Sequence, residues 1–188
     1  MSLPSLPFRE RGQGGWFTIP NIQDGERTLE EGIRGIEVLR HEARHARVLD
    51  LGCAEGLIAR WFIEAGAQSA DGIDIDRRAL ALGHALAERP DGRKLHLWWA
   101  DFDDPATWPG LKIDYDIVMC LSVLHKLRNP APLLDLAIAK ACRWLAVRAP
   151  ARTLKSGFAI KTMIEEAGFR MVSEVMDIPW VGIFRRCT

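Results

Sequence analysis

The sequence has no excess of charge of either sign. Its 25 basic residues equal its 25 acidic residues over 188 positions, so the formal net charge at pH 7 is zero. This balance argues against wholesale coating of nucleic acid or anionic lipid, although it is compatible with a local basic patch. We therefore expect neither a membrane-surface protein nor a general nucleic-acid coat.

Cysteine is scarce and scattered. The four cysteines, at positions 53, 120, 142 and 187, form no C-x-x-C pair and have no histidine at ligand spacing. Neither a disulfide framework nor a structural zinc site is indicated, and we expect no metal. Cys120 and Cys142 lie in apolar runs, where a thiol usually behaves as a small hydrophobic side chain.

An apolar leader is also missing from the first residues. Residues 1–15 are punctuated by proline and glycine, so a cytoplasmic location is the default expectation. The composition, 48% apolar and 27% charged, is that of a globular protein. Because no repeat or interdomain linker is visible, we predict one domain, with 1–46 as an N-terminal extension and helix and 47–188 as its core.

From about residue 47 onward, strand and helix patterns alternate along the chain. The predicted strands are 48–51, 70–75, 94–100, 115–121, 142–147, 170–176 and 180–184. The predicted helices are 25–44, 58–65, 77–87, 133–141 and 158–167. Only three residues separate the last two strands, which is too short a connection for a parallel crossover. These two strands should therefore pair antiparallel.

A glycine-containing turn follows the first predicted strand. Gly52 and Gly56 leave the backbone bare where it approaches a ligand, and the turn aims helix N–H groups at that ligand. Further on, Asp74 ends the second strand, where its carboxylate can accept hydrogen bonds from a ribose diol. A pocket for a nucleotide-containing cofactor is predicted. A nicotinamide dehydrogenase is disfavoured, because the turn lacks G-x-G-x-x-G.

The turn reads Asp-x-Gly-x-Ala-x-Gly from Asp50 to Gly56, and this pattern resembles the class I S-adenosylmethionine-dependent methyltransferases. The resemblance is strong over residues 48–147. It implies an α/β fold with a doubly wound, seven-stranded, Rossmann-like sheet whose last strand is antiparallel. It also implies S-adenosyl-L-methionine as the cofactor.

The same resemblance implies which residues contact the cofactor. Residues 50–56 would hold its methionine part, Asp74 and Ile75 its ribose and adenine, and Asp101 and Phe102 the adenine amino group and ring. The end of the fourth strand would lie beside the reacting centre. The full cofactor-binding set is Asp50, Gly52, Cys53, Ala54, Gly56, Asp74, Ile75, Asp101, Phe102, Cys120, Leu121 and Ser122.

Several of these positions have a structural alternative. Asp74 would also fit a simple strand-end cap, and Asp101 an ordinary acidic turn. Glu55 is compatible with a water-mediated contact to the cofactor or with a favourable charge at a helix N-terminus. His125 follows the fourth strand and is the candidate catalytic base, while its alternative role is to shape the loop.

The leading hypothesis is methyl transfer to an oxygen or nitrogen nucleophile of a small molecule, because no recognition domain is visible. An RNA substrate is the alternative, since residues 25–28 and 122–130 are weakly similar to enzymes that modify wobble uridine in tRNA. A protein that binds the cofactor without turnover is a third reading.

Residues 136–164 contain several basic side chains and no acidic one. Arg148, Arg152 and Lys155 follow the fifth strand of the predicted core, so they could border the substrate entrance and favour an anionic substrate. The alternative is a solvated basic face that pairs with acids of the 101–104 turn.

Overall fold

The computed structural model describes residues 15–86, 94–111, 113–150, 154–176 and 179–187. A short parallel ribbon comes first, made of β1 (Gly15–Phe17) and β2 (Gly25–Arg27). The strands of the main sheet follow in this order: β3 (Arg47–Leu51), β4 (Ser69–Asp74), β5 (Lys94–Trp99), β6 (Tyr115–Leu121), β7 (Ala141–Ala149), β8 (Phe169–Val175) and β9 (Trp180–Arg186).

The main sheet has seven strands in the order β5-β4-β3-β6-β7-β9-β8. Strand β9 is antiparallel to both β7 and β8, and the other pairings are parallel. The predicted fold, a doubly wound sheet with a reversed last strand, is confirmed. Because the strand order turns back between β3 and β6, a crevice is expected at the carboxyl ends of these two strands.

Helices cover both faces of the sheet. The α-helices are α1 (Leu29–Ile33), α2 (Leu57–Glu64), α3 (Arg77–Leu86), α4 (Ala131–Lys140) and α5 (Leu154–Glu166). Short 3₁₀ helices span Glu37–Glu42, Pro105–Thr107 and Leu124–Lys126. In the described part of the chain, no helix is long and apolar enough to cross a membrane.

The two faces of the sheet support two separate clusters of buried side chains. Leu49 and Leu51 of β3 point to the cluster that contains Leu133 of α4, whereas Val48 packs with Phe62 of α2 on the other face. Residues 117–120 of β6 are fully buried, as expected for a central parallel strand covered on both sides.

The helix predicted over residues 25–44 is wrong as a single element. The segment begins as β2, and Thr28 then caps α1, since its hydroxyl accepts from Glu31 N–H and its own N–H donates to the Glu31 carboxylate. The helix ends at Ile33; its C-cap, Arg34, has a φ of −52° and a ψ of 127°, and Gly35 has a φ of 85°. A glycine in the left-handed conformation interrupts a helix. The residues with helical apolar spacing therefore continue into a 3₁₀ turn instead of one longer α-helix.

Two other predicted boundaries shift. Helix α5 begins at Leu154, several residues before the predicted start, and β7 extends to Ala149. Gly66, with a φ of 103°, follows the end of α2, and Asp76 caps α3, since its carboxylate accepts from the N–H groups of Arg78 and Ala79.

Candidate functional site

The turn after β3 is built around left-handed backbone. Gly52, Ala54 and Gly56 have φ angles of 89°, 49° and 71°. A Cβ added to Gly52 would lie 2.8 Å from Cβ of Val123, and one added to Gly56 would lie 2.8 Å from Cδ2 of Leu97. Glycine is therefore needed at both positions for conformation and for close packing.

Ala54 adopts a conformation that usually costs a non-glycine residue about 1–2 kcal/mol. Its N–H donates to Oδ2 of Asp74 at 2.8 Å, and Oδ1 of Asp74 accepts from Asp76 N–H at 2.8 Å. Asp74 thus ties the turn to the end of β4. Each carboxylate oxygen can accept a second hydrogen bond, so this role does not prevent Asp74 from also accepting from a ligand.

A cavity of about 210 Å³ opens at the carboxyl ends of β3, β4 and β6. Its walls are mostly apolar, and four aspartates are among the lining residues, a combination that suits a purine ring with a polar sugar. The lining residues are Trp16, Gly52, Ala54, Asp74, Ile75, Asp76, Asp101, Phe102, Asp103, Leu121, Ser122, Val123, Lys126 and Leu127.

The predicted cofactor residues divide into those that line the cavity and those that lie behind its wall. Eight line it, namely Gly52, Ala54, Asp74, Ile75, Asp101, Phe102, Leu121 and Ser122. Asp50, Cys53, Gly56 and Cys120 are buried and are not among the lining residues. They are buried at the turn and the strand ends, and their contact with the cofactor stays a prediction.

Asp50 is one of two buried carboxylates in the turn motif, the other being Glu55. Asp50 is 2% exposed, and its Oδ2 has no hydrogen-bond partner in the described structure. Burial and the nearby Asp74 raise the pKa of Asp50 to about 7, against an opposing attraction from Arg148. Burial also raises the pKa of the Cys53 and Cys120 thiols, so both are neutral small side chains at physiological pH.

Glu55 holds the N-terminal ribbon over the site. It is 1% exposed, and its carboxylate accepts from the backbone N–H of Trp16 at 2.8 Å and from that of Phe17 at 3.3 Å. The side-chain amide of Gln23 donates to it at 2.7 Å. Neither sequence alternative for Glu55 included these partners. The carboxylate anchors β1, which brings Trp16 to the cavity.

Trp16 is the main site residue that sequence reasoning missed. Nζ of Lys126 lies 3.9 Å from its ring centroid, and the Arg27 guanidinium carbon lies 4.4 Å from it. Both contacts are within the range of cation–π interactions. No sequence motif marks Trp16, because the contact depends on a hydrogen bond to a residue 39 positions away.

The acidic turn after β5 contributes one wall. Oδ1 of Asp101 accepts from Asp103 N–H at 2.9 Å, and Asp103 accepts from Arg128 N–H at 2.9 Å. Phe102 is 5% exposed and packs edge-to-face on Trp108. The hydrogen bond to Arg128 joins this turn to the loop after β6, so two walls of the cavity are connected.

His125 lies in the 3₁₀ turn after β6. Ser122, Val123, Lys126 and Leu127 of this loop line the cavity, whereas His125 is exposed and is not among the lining residues. The structure thus brings the loop of the candidate base to the cavity, but the imidazole itself does not line it.

The predicted basic edge is described only in part. Arg152 and the side chain of Lys155 lie outside the described residues. Arg148 is 3% exposed and lines a second cavity rather than the one at the glycine turn. The acids of the 101–104 turn do not pair with it; Asp103 pairs with Arg128 instead, at 3.6 Å.

The similarity to known proteins covers the part of the chain that contains this site. A family model described as a methyltransferase domain matches residues 49–144, which is about half of the sequence. The match begins in β3, includes the glycine turn and Asp74, and ends in β7.

Curated relatives match over a similar span. The chain is 35% identical over 88 residues to a ribosomal protein L11 methyltransferase of Shewanella baltica, covering 46% of this chain and 28% of that protein. It is 32% identical over 102 residues to a ubiquinone biosynthesis O-methyltransferase of Bordetella parapertussis, covering 53% and 40%. The chain therefore matches less than half the length of these relatives.

The fold is also similar to that of solved structures. An N-methyltransferase from Bradyrhizobium japonicum, in complex with S-adenosyl-L-homocysteine, matches with a TM-score of 0.66 at 16% identity, over 85% of this chain and 87% of that one. At this identity the similarity concerns the fold.

Proposed function

Because the chain belongs to the family of S-adenosylmethionine-dependent methyltransferase domains, we propose that it transfers the methyl group of S-adenosyl-L-methionine to an oxygen or nitrogen nucleophile of a small molecule. One observation carries this proposal. The cavity at the carboxyl ends of β3, β4 and β6 is bordered by the glycine turn and by Asp74, which are joined by the hydrogen bond to Ala54.

In this proposal, different lining residues contact different parts of the cofactor. Asp74 accepts from the ribose hydroxyls, and Ile75, which is 49% exposed, offers an apolar surface to the adenine. Asp101 accepts from the adenine amino group beside Phe102. Gly52 and Ala54 receive the methionine part, and the strand end at Leu121 and Ser122 lies beside the methyl group.

The cofactor supplies a methyl group bound to a sulfonium. When bound, the cofactor would supply this methyl carbon to the nucleophile and keep the carbon–sulfur electron pair as a neutral thioether. The acceptor loses a proton to a base or to water. The chain's part is to hold the acceptor in line and to limit the access of water, and Trp16 at the cavity supports the second task.

The two segments that suggested an RNA substrate have structural roles in the fold. These roles favour a small acceptor over RNA. Thr28, which belongs to the segment similar to tRNA-modifying enzymes, is used as the cap of α1. The segment 122–130 forms a wall of the cavity and a hydrogen-bonded turn. These local roles account for both segments without an RNA contact.

The test begins with calorimetry of the purified chain against S-adenosylmethionine, S-adenosylhomocysteine and NAD. Binding of the first two, and not of NAD, is expected. Methyl transfer from labelled cofactor to pools of small metabolites and of RNA then separates the acceptor classes. Label in RNA alone would overturn the small-molecule proposal, and binding without label in any pool would favour a non-catalytic cofactor-binding protein.

A further inference from the structure

A second cavity, of about 270 Å³, lies at the same edge of the sheet. It is formed between α1, the preceding ribbon and the ends of β7, β8 and β9. Three arginines, Arg27, Arg34 and Arg148, line it together with Glu26, Glu31 and Val181. Cavity-lining arginines from separate elements are a common arrangement for binding a carboxylate or a phosphate.

Arg148 is the central side chain of this cavity. It is 3% exposed, and its Nη2 donates to the carbonyl oxygen of Arg34 at 2.6 Å. Its Nε is buried and has no hydrogen-bond partner in the described structure, and the same is true of Nε of Arg27. Buried N–H groups normally have a partner, so these two point to an acceptor that the chain itself does not supply.

In the described structure, carboxylates lie near these arginines without forming ion pairs with them. Within the described part of the chain, no acidic side chain forms an ion pair with Arg27, Arg34 or Arg148. The nearby carboxylates have backbone partners: Glu31 accepts from Thr28 N–H at 2.8 Å, and Glu37 accepts from Gly35 N–H at 2.7 Å.

Two further observations bear on this charge balance. Glu26, the remaining carboxylate of the lining, is exposed to solvent. Burial, Arg27 and Arg34 lower the pKa of Arg148 to about 10, against an opposing attraction from Glu37 and Asp50.

Residues of the second cavity contact, at two places, residues that line the first cavity at the carboxyl ends of β3, β4 and β6. We call this first cavity the cofactor cavity. The guanidinium of Arg27 lies over the ring of Trp16, and Trp16 lines the cofactor cavity. Arg148 pairs with Leu121 across β6 and β7, and its carbonyl oxygen accepts from Ser122 N–H at 3.0 Å. Leu121 and Ser122 also line the cofactor cavity.

We propose that the cavity of Arg27, Arg34 and Arg148 binds the acidic group, a carboxylate or a phosphate, of the small molecule that accepts the methyl group. The inference rests on the proposed function, because it assigns the substrate class of that same site. The acidic group would be held by the unpartnered N–H groups, and the rest of the acceptor would extend past Trp16 toward the cofactor. The three arginines would then set the position of the nucleophile.

The experiment measures anion binding to the chain saturated with S-adenosylhomocysteine, using inorganic phosphate, acetate and benzoate as probes at low salt. Calorimetry gives the dissociation constants for the wild type and for Arg27→Gln, Arg34→Gln and Arg148→Lys. Arg170→Gln is the matched control, since Arg170 is an exposed arginine of β8 that is not among the lining residues. Thermal unfolding of each variant establishes that it folds.

We expect at least one probe to bind the wild type and the control equally, and to bind Arg27→Gln and Arg148→Lys about tenfold more weakly. A preference for phosphate over the carboxylates, or the reverse, names the acidic group. Arg34→Gln, at an exposed residue, keeps the test valid if Arg148→Lys fails to fold.

Equal binding by all variants, or no binding of any probe to the wild type, would overturn the assignment of this cavity. Failure of S-adenosylhomocysteine to bind is a separate result, which contradicts the proposed function. In that case the anion titration of the unliganded chain still decides whether the arginines form an anion site.

Discussion

Asp74 and Ala54 are joined by a hydrogen bond of 2.8 Å that connects the end of one strand to the turn after another. It stabilises Ala54 in its left-handed conformation, and it fixes the carboxylate at the edge of the cavity. One side chain thereby shapes the turn and presents its carboxylate to the cavity. The two sequence alternatives for Asp74, strand-end cap and ribose ligand, are compatible with each other.

Asp74→Ala should weaken S-adenosylhomocysteine binding by about 1.5–3 kcal/mol, because charge-assisted hydrogen bonds to the ribose are lost. Asp74→Asn keeps an acceptor for Ala54 N–H but removes the charge, so it separates the effect on the turn from the effect on the ligand. Calorimetry gives the affinities, and thermal unfolding gives the stabilities. A dissociation constant that is unchanged in the alanine variant would remove Asp74 from the site.

Glu55→Ala should release the N-terminal ribbon. The change leaves the N–H of Trp16 without its acceptor and the amide of Gln23 with only the Phe17 carbonyl, which costs about 1–3 kcal/mol for buried donors. Hydrogen exchange of residues 15–25 should become faster, while exchange in β3 and β6 changes little. Glu64→Ala is the control, because Glu64 is exposed and its ion pair with Arg60 is on the surface. Unchanged exchange over residues 15–25 would show that Glu55 does not hold the ribbon.

The sheet could be predicted from local pattern, because continuous apolar runs such as residues 117–120 are typical of buried parallel strands. The turn could be predicted as well, since Gly52 and Gly56 occupy positions where a Cβ would collide with a neighbour. In both cases, burial or close packing constrains the same residues that form the sequence pattern.

The N-terminal part could not be predicted in the same way. Residues 25–44 have helical spacing, yet the cap at Thr28 and the left-handed Gly35 divide them. Trp16 reaches the cavity only because Glu55, buried far along the chain, accepts its N–H. The second cavity likewise depends on contacts between distant elements, such as Arg148 with the carbonyl of Arg34.

The stability of the chain should depend on pH through Asp50. Its pKa is raised to about 7 in the folded chain, so between about pH 4 and pH 7 the folded state holds a proton that the unfolded state has released. The stabilisation is therefore present at low pH and is lost as pH rises through 7. Relative to Asp50→Asn, the free energy of unfolding of the wild type should fall by about 2–3 kcal/mol from pH 5 to pH 8.

Urea unfolding of both proteins at the two pH values measures this difference. The asparagine variant keeps the shape of the side chain and cannot ionise, so all other titrating groups cancel in the comparison. Parallel pH profiles for the wild type and the variant would show that Asp50 keeps an ordinary pKa.

His125 remains our predicted base, and its test needs a readout that separates proton transfer from loop structure. If the imidazole takes the proton of the acceptor, His125→Ala should lower kcat by about 10²–10⁴-fold while the affinity for S-adenosylhomocysteine hardly changes. Because the side chain is exposed and is not among the lining residues of the cavity, this role requires the loop to turn inward when the acceptor binds.

Turnover is measured with the acceptor found in the methyl-transfer screen, over a range of pH values, and His84→Ala on α3 serves as the control for loss of a histidine elsewhere. A general base predicts that the acidic limb of the pH–rate profile disappears in His125→Ala and persists in the control. Full activity of His125→Ala would assign the residue to the loop and leave the proton to water. That outcome is chemically sufficient for an acceptor that is already deprotonated, because the sulfonium then needs only an aligned nucleophile.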